Sequence, residues 1–592
     1  MNHLAAAGFA ALLLSTAAAT ATAQTATEAA QPAANTDLAS LLSDYEAFLK
    51  ANDPISAGQE GDQAAKSRLP DTSRAAEVAR QAPLEAFRAR AQAIATGGLS
   101  GDDALNRDFL IRVLDRSIEA IRYDSERLAF DSEGGPGQTA NYLASTTRIT
   151  TAADAEAWLS RLAALPKLYD DELDNTLRGL ETGFTQPTSV VESFLVSLRN
   201  EAAFTPETDP LLRPLATLPA SIPADAQQAY RDRAAALVAE AIVPRRQRWL
   251  TFIETQYLPA ATPEVGIGSR PGGRDFYAFE ARRYTTTDLT PDQIHRIGLD
   301  EVARIRARME TEMRAAGWTG DFAGFLNHLR TEPRFYATSR EDLLEKASEM
   351  SKRADGGLPA LFRTLPRLTY NVRPVPLDIE ATYTTGRYNG GSLADGVPGG
   401  YIVNTGRLDQ RPLYELPALT LHEAVPGHHL QIALQQEAAQ GPYFRRNVDV
   451  TAFSEGWGLY AEYLGEEMGF YRTPEERFGR LSYEMWRACR LVADTGMHWM
   501  GWTIDEARRC FTENSALAPH NIETELQRYI GWPGQALAYK IGEIRLRAIR
   551  TRAEQALGDR FNVRDFHDAL LVDGPLPLDL LDQRMDAWVA AQ

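Results

Sequence analysis

The segment LHEAVPGHHL, from Leu421 to Leu430, contains three of the nine histidines of this chain together with one glutamate. In a regular helix each residue turns about 100° and rises about 1.5 Å. His428 would therefore point about 120° away from His422, and His429 would lie about 10.5 Å further along the axis. Zinc binds imidazole nitrogens at about 2.0–2.1 Å, so an undistorted helix cannot direct two of these side chains to one ion.

Pro426 and Gly427 interrupt the helical pattern between these histidines. Proline has no N–H to donate to the carbonyl of His422, and its ring crowds that carbonyl. Glycine tolerates the dihedral angles that a bulge requires. If residues 424–427 loop out by two positions, His428 comes to lie one turn after His422. We therefore predict that these two histidines bind one metal ion.

This prediction also assigns roles to two further residues of the motif. Glu423 would lie beside the open position of the metal, and His429 would contact a ligand or face the substrate. The reverse assignment, with His429 as the ligand, is an alternative. A second alternative is a helix–turn–helix whose histidines are exposed or hydrogen-bonded in the core. The helix breaker, placed where the spacing needs correction, favours the metal site.

A third protein ligand is expected, because catalytic zinc sites use three protein groups plus water. The segment TAFSEGWGLYAEYL places Glu455 33 residues after His422, and Glu462 seven residues later. Both would lie on the same face of an otherwise apolar and aromatic helix. We predict that Glu455 is the third ligand and that Glu462 orients a histidine. The alternative is a stripe of solvated carboxylates.

Several blocks of the chain resemble those of a bacterial family catalogued as domain of unknown function 885, in the same order: LHEAVPGHHLQ, SEGWGLYAE, RACRLVADTGMH and QRYIGWPGQALAYKIGE. The resemblance covers most of the mature chain and is strongest from about Glu280 onward. It implies a mostly α-helical zinc-peptidase-like fold, similar to helical oligopeptidases and carboxypeptidases. In those proteins H-E-x-G-H is followed by a glutamate ligand, as Glu455 follows here. This chain departs by two extra residues before Gly-His, which leaves the second ligand open.

Arg490, Asp494 and His498 recur at helical spacing in one of these blocks. His498 could hydrogen-bond the substrate carbonyl or the tetrahedral intermediate, with Asp494 fixing the tautomer of the imidazole. The alternative is an interior ion-pair stripe that aligns helices.

Further candidates lie outside the histidine motif. In the peptidases that the chain resembles, a tyrosine late in the chain donates its hydroxyl to the developing oxyanion. This implies that role for Tyr539, with Tyr529 as the second candidate, although both could be core residues. Gln535 would contact the ligands or the substrate, and Arg387 could bind a substrate carboxylate. The glycine-rich segment 388–405 could pair with a peptide backbone, or form a hairpin over the core.

The remaining sequence predicts a mainly α fold. The pattern is helical from Thr36 almost to the end, and only residues 368–405 have strand character. We therefore predict a small antiparallel β-sheet immediately before the active-site helix. Residues 37–592 would form one helical domain, which a run of prolines near 204–225 could divide into two lobes.

The first residues favour export. Residues 1–23 contain a short apolar stretch and end in Ala-Thr-Ala, as in a cleaved signal peptide, and residues 24–36 would be a flexible lead-in. An Ala-rich disordered tail is the alternative. We predict a periplasmic or secreted protein with no membrane span. Cys489 and Cys510 lie in helical sequence, so buried free thiols are expected rather than a disulfide.

The net charge of the chain bears on which partners it could bind. With 62 basic and 80 acidic residues the formal charge is −18, which argues against nucleic acid or an anionic membrane. The sequence therefore predicts an exported zinc peptidase with one Zn²⁺ per chain, which cleaves short peptides with water activated by the ion and Glu423 as general base. Alternatives are a zinc amidohydrolase acting on a non-peptide amide and a non-catalytic binding protein with a vestigial site. The substrate, the preferred metal and the oligomeric state are left open.

Overall fold

The computed structural model describes residues 33–592 except 133, 378–379, 381–382, 394–395 and 439–440. The predicted signal peptide and most of the lead-in lie outside these residues. Helix accounts for 71% and strand for 3% of the structure, which confirms the predicted mainly α fold.

The α-helices follow one another along almost the whole described chain. In chain order they are α1 (Ala33–Asn52), α2 (Pro54–Gln59), α3 (Arg74–Ala93), α4 (Gly101–Tyr123), α5 (Pro136–Thr146), α6 (Ala152–Glu181), α7 (Thr188–Ala202), α8 (Ala224–Leu237), α9 (Val243–Phe252), α10 (Leu258–Ala260), α11 (Gly273–Thr285), α12 (Pro291–Ala315), α13 (Phe322–Thr331), α14 (Arg340–Leu361), α15 (Leu416–Glu423), α16 (His428–Glu437), α17 (Tyr443–Asn447), α18 (Thr451–Glu467), α19 (Pro474–His498), α20 (Ile504–Asn514), α21 (Pro519–Gly531), α22 (Ala538–Leu557), α23 (Val563–Leu571) and α24 (Leu578–Ala591).

Three strands form one small sheet in the predicted place. They are β1 (Tyr370–Pro374), β2 (Gly386–Asn389) and β3 (Gly399–Val403), in the order β1-β3-β2. β2 and β3 are antiparallel, but β1 and β3 are parallel, so the prediction of a purely antiparallel sheet is wrong. The chain between β1 and β3 is long enough for the crossover that parallel strands need. The central strand β3 is buried along its length and lies just before α15.

Helix α19 is the centre of the core. Every residue from Phe478 to His498 is buried, and α19 packs against α12, α15, α20 and α22. A helix buried on all sides is expected to be apolar, yet α19 carries several charged side chains. They have partners within the core: Arg480 contacts Glu484 at 2.5 Å, for example, and Arg490 contacts Glu525 at 2.8 Å. α15 also packs against α18, so the histidine motif lies deep in the molecule.

The proline-rich segment 204–225 contains a 3₁₀-helix, Pro210–Leu215, that packs against α5 and α8. The division into two lobes stays a prediction. Among the described residues, no helix is both long and apolar enough to cross a lipid bilayer.

Cys489 of α19 and Cys510 of α20 form a disulfide, so the prediction of free thiols is wrong. The short connection after α19 folds α20 back against it and brings the two Cα atoms to 5.7 Å, within the range that a disulfide spans. Helical sequence at both positions did not reveal that the two helices are packed neighbours.

We expect the double variant Cys489→Ala, Cys510→Ala to unfold at lower temperature than the wild type. The disulfide closes a loop with a sequence separation of 21, and its removal should cost about 3 kcal/mol in the chain-entropy view. Thermal unfolding with and without a reductant measures this. The reductant should destabilise the wild type and leave the double variant unchanged; an insensitive wild type would contradict the disulfide.

Candidate metal centre

The helix of the histidine motif is interrupted where the sequence predicts. α15 ends at Glu423, α16 begins at His428, and residues 424–427 connect them. The N–H of His429 donates to the carbonyl of Ala424 at 3.1 Å, and this hydrogen bond spans the break between the two helices. The ring centroids of His422 and His428 are consequently 4.7 Å apart, with the ring planes at 88°.

Gly427 is required by close contact rather than by an unusual dihedral angle. Its φ is −75°, but a Cβ at this position would lie 1.9 Å from the carbonyl oxygen of His422 and 2.4 Å from that of Leu421. The loop therefore folds directly onto the end of α15. The indole N–H of Trp457 donates to the carbonyl of Pro426 at 2.8 Å and ties the loop to α18.

Glu455 of α18 completes a group of three possible metal ligands. Its Oε2 lies 3.3 Å from Nε2 of His422 and 3.4 Å from Nε2 of His428, and the ligand atoms of all three lie within 4.8 Å of one another. Atoms bound tetrahedrally at about 2.0–2.1 Å from one ion would be about 3.4 Å apart. Oε2 of Glu455 is buried and has no hydrogen-bond partner among the described residues. The three groups thus meet as ligands of a cation would.

Gly458, one turn after Glu455, makes room for this arrangement. A Cβ at this position would lie 2.5 Å from the ring of His422. Only glycine therefore allows α18 to approach the first histidine closely enough.

Glu462 lies on the opposite side of the His422 ring. Nδ1 of His422 is 2.8 Å from Oε1 of Glu462, which is 1% exposed. A hydrogen bond from Nδ1–H to this carboxylate leaves Nε2 to face Glu455, as in the carboxylate–histidine pairs of metal sites. Nη2 of Arg487 lies 3.4 Å from the same oxygen of Glu462 and balances its charge. Sequence reasoning missed Arg487, although its i, i+3 spacing to Arg490 was visible.

His429 has different neighbours. Its Nε2 lies 3.1 Å from the carbonyl of Leu368, and its Nδ1 lies 3.0 Å from the hydroxyl of Tyr388. These contacts fit a neutral ring in which Nε2–H donates and Nδ1 accepts. Burial lowers the pKa of His429 to about 4. His428, and not His429, therefore joins His422 in the group of ligand atoms.

Burial and neighbouring charges shift the pKa values of the titratable groups in the site. Burial would lower the pKa of His422, but contacts with Glu455 and Glu462 raise it to about 10. Burial disfavours the charged form of Glu455, yet His428 and His422 hold its pKa well below its ordinary value. Burial raises the pKa of Glu423. The carboxylates that raise the pKa of His422 are the groups whose charge a divalent cation would balance.

A cavity of about 280 Å³ opens onto these groups. It is lined by His422, Glu423, His428 and Glu455 from the motif and α18, and by residues of β2, α19, α21 and the start of α22. Arg387 and Tyr388 of β2 are among them, so the sheet forms part of the wall. Backbone pairing of the glycine-rich segment with a peptide stays a prediction.

Tyr539 and Gln535 both line the cavity. Nη2 of Arg528 donates to the hydroxyl oxygen of Tyr539 at 3.1 Å and to Oε1 of Gln535 at 2.8 Å. Because the oxygen of Tyr539 accepts from Arg528, its own O–H is left to donate elsewhere. Tyr529 is not among the residues that line the cavity, and its hydroxyl accepts from Arg490 at 2.7 Å. The geometry favours Tyr539 of the two.

The predicted Asp494–His498 hydrogen bond does not form. Nδ1 of His498 accepts from the N–H of Ile267, and Nε2 faces the carbonyl of Tyr529, each at 3.0 Å. Oδ1 of Asp494 accepts from the hydroxyl of Tyr277 at 2.5 Å. Both ring nitrogens of His498 thus contact the backbone, and the residue lies outside the cavity lining. Helical spacing from Arg490 did not show that this end of α19 leads away from the cavity.

The comparisons with known proteins identify relatives along nearly the whole chain. A family model described as "Bacterial protein of unknown function (DUF885)" matches residues 54–585. A crystal structure titled as a "putative lipoprotein" from Colwellia psychrerythraea is 27% identical, with a TM-score of 0.88, and the match covers 94% of this chain and 100% of that one.

A second solved structure, a "putative lipoprotein of unknown function" from Shewanella oneidensis, is 18% identical. Its TM-score is 0.72, and the match covers 93% of this chain and 99% of that one, which shows a shared fold. No curated protein matches the chain.

We expect His428→Gln to lower zinc affinity by more than about 100-fold, beyond the range found when an outer contact of a ligand is removed. His429→Gln is the matched control, because it changes the neighbouring imidazole, and it should keep about the wild-type affinity. Titration of metal-free protein with zinc measures both variants. Equal losses in the two variants would contradict the assignment of His428.

We expect Gly458→Ala to lower zinc affinity by about 10- to 100-fold, because the added methyl group displaces the His422 ring from Glu462. Gly356→Ala in α14 is the control, since a Cβ there meets no atom within 4 Å. Calorimetric zinc titration, with circular dichroism to check folding, distinguishes the two. Unchanged zinc binding by a folded Gly458→Ala protein would show that this contact does not position His422.

Proposed function

The chain belongs to the DUF885 family, and we propose that it is a zinc-dependent peptidase that cleaves short peptides. The observation that carries the proposal is the convergence of His422, His428 and Glu455 on one point beside a cavity that Glu423 also lines. Two imidazoles and one carboxylate are a donor set that suits zinc, and three protein ligands are typical of catalytic zinc sites.

The residues of the site have complementary roles in this proposal. His422, His428 and Glu455 would hold the ion, and Glu462 would fix the orientation of His422. When bound, zinc supplies Lewis acidity, which polarises a carbonyl oxygen and lowers the pKa of water. A substrate that enters the cavity would therefore meet the ion and Glu423 together.

Glu423 is the proposed proton carrier. It follows His422 directly in the chain and lines the cavity, which places its carboxylate beside the ligands. It would take a proton from the attacking water and deliver it to the nitrogen of the leaving amine. The O–H of Tyr539, whose oxygen accepts from Arg528, would donate to the oxygen of the reacting carbonyl as charge develops there.

The size of the cavity supports short substrates. At about 280 Å³ it lies near the lower limit of small-molecule pockets, so it suits a short peptide segment. Folded proteins would not reach these ligands, because His422 is buried and His428 and Glu455 are only partly exposed.

Export is part of the proposal. The Cys489–Cys510 disulfide is of a kind that persists in oxidising compartments, and each of the two solved relatives is described as a "putative lipoprotein". The alanine-rich start of the sequence, read as a signal peptide, agrees with a periplasmic or secreted location.

We expect Glu423→Gln to bind zinc with about wild-type affinity but to cleave peptides at least about 100-fold more slowly, as is typical when a general base is lost. The matched control is Glu513→Gln, which changes an exposed glutamate of α20 in the same way. Digestion of a peptide library, followed by mass spectrometry, measures cleavage.

The wild type should lose this cleavage in the presence of a chelator and regain it with zinc. A zinc-loaded wild type that cleaves no peptide in the library would overturn the peptidase proposal. Full cleavage by Glu423→Gln would remove Glu423 from the mechanism.

A further inference from the structure

Guanidinium groups are concentrated in the wall of the cavity. Arg387, Arg487, Arg490 and Arg528 line it, against three glutamates, of which Glu423 and Glu455 belong to the proposed metal site. This accumulation of positive charge contrasts with the net charge of −18 for the whole chain. A cavity that holds a divalent cation as well would attract anionic groups strongly.

Arg490 is held in the cavity wall by its contacts, and one of its N–H groups has no hydrogen-bond partner among the described residues. It is 2% exposed, its Nε donates to the hydroxyl of Tyr529 at 2.7 Å, and its Nη2 donates to Glu525 at 2.8 Å. The guanidinium also lies over the rings of Tyr539 and Trp486, at 4.1 and 4.7 Å from their centroids. Its Nη1 is buried without a hydrogen-bond partner in the described part of the chain. A buried charged donor without a partner is costly, which points to a ligand that supplies one.

Arg528 lies beside Arg490 and shares a counter-ion with it. Nη1 of Arg528 is 3.7 Å from the same Glu525 oxygen that Arg490 contacts. Nε of Arg528 also has no hydrogen-bond partner among the described residues. The single negative charge of Glu525 thus faces the two positive charges of Arg490 and Arg528. One positive charge of this arginine pair is therefore not neutralised by Glu525.

We propose that the Arg490–Arg528 pair binds a carboxylate of the substrate, either the C-terminal carboxylate of a peptide or the side chain of an Asp or Glu residue. Guanidinium is the cation best matched to a carboxylate, because its planar N–H groups form paired hydrogen bonds. The inference rests on the proposed peptidase function and names the class of substrate for that site.

The carboxylate lies close to the bond that is cleaved. The proposed metal ligands and the arginine pair line one cavity of about 280 Å³, so a carboxylate bound by the pair shares that cavity with the scissile bond. The preferred substrates are therefore short peptides that end, or carry an acidic side chain, close to the scissile bond.

Peptide binding to metal-free protein tests this inference without any need for turnover. The probes are Ala-Ala-Ala, its C-terminal amide and Ala-Ala-Asp-amide, and calorimetry measures their dissociation constants. We expect at least one carboxylate-bearing peptide to bind about tenfold or more tightly than Ala-Ala-Ala-amide. Tighter binding of Ala-Ala-Ala identifies the C-terminal carboxylate as the ligand, and tighter binding of Ala-Ala-Asp-amide identifies the side chain.

Arg490→Gln and Arg528→Gln should reduce this preference for the carboxylate to about twofold or less. Arg528 is only partly buried, so its variant tests the inference even if Arg490→Gln does not fold. Arg509→Gln, at a side chain that is 65% exposed on α20, is the matched control and should keep the preference. Circular dichroism checks that each variant is folded.

Equal binding of all three peptides to the wild type, or an unchanged preference in folded Arg528→Gln, would overturn the inference. These outcomes are distinguishable from failure of the proposed function. Chelator-sensitive cleavage without a carboxylate preference would leave the peptidase and remove the arginine subsite. A carboxylate preference without any cleavage would leave the arginine pair as a binding site and remove the peptidase.

Discussion

The break between α15 and α16 is the constraint on which the candidate metal centre depends. A continuous helix would separate His422 from His428, whereas the four-residue connection turns both imidazoles toward Glu455. The connection can be this tight because Gly427 has no side chain to collide with the carbonyl of His422. Backbone sterics at one glycine therefore decide whether the ligand atoms meet at all.

Buried charge links the core of the protein to its cavity. α19 is enclosed on every side, so its charged groups require partners, which lie either on α19 itself, as Glu484 does for Arg480, or on neighbouring helices, as Glu525 does for Arg490. Arg487 contacts Glu462, which in turn holds His422. Arg490 contacts Glu525 while it also lines the cavity. The same side chains that satisfy the interior thus set the electrostatic character of the site.

The sequence predicted the parts of the fold and site that depend on local pattern. Helical periodicity indicated the fold class, and the position of Pro426-Gly427 indicated where the motif helix breaks. A break in the helix at residues 424–427 and the need for a third ligand predicted the grouping of His422, His428 and Glu455, whose ligand atoms lie within 4.8 Å of one another. Metal binding and catalysis by these residues stay predictions.

Features that depend on packing between distant segments could not be predicted from the sequence. The pairing of Cys489 with Cys510 requires that α20 folds back on α19, and the parallel pairing of β1 with β3 requires a particular crossover. His498 appeared promising because helical spacing gives a face but not its surroundings. Gly458 was not singled out from the sequence, because its contact with His422 exists only once two helices are packed.

Helix α18 contributes Glu455, Trp457, Gly458 and Glu462 within eight consecutive residues, and each of them touches the histidine segment. The proposed ligand, the anchor of the loop, the space for the His422 ring and the orienting carboxylate therefore all lie in one short helical segment. An insertion or deletion inside this helical segment would shift some of these four residues out of position relative to the others. The length of this helical segment is therefore constrained by four separate contacts, whereas its exposed positions are not.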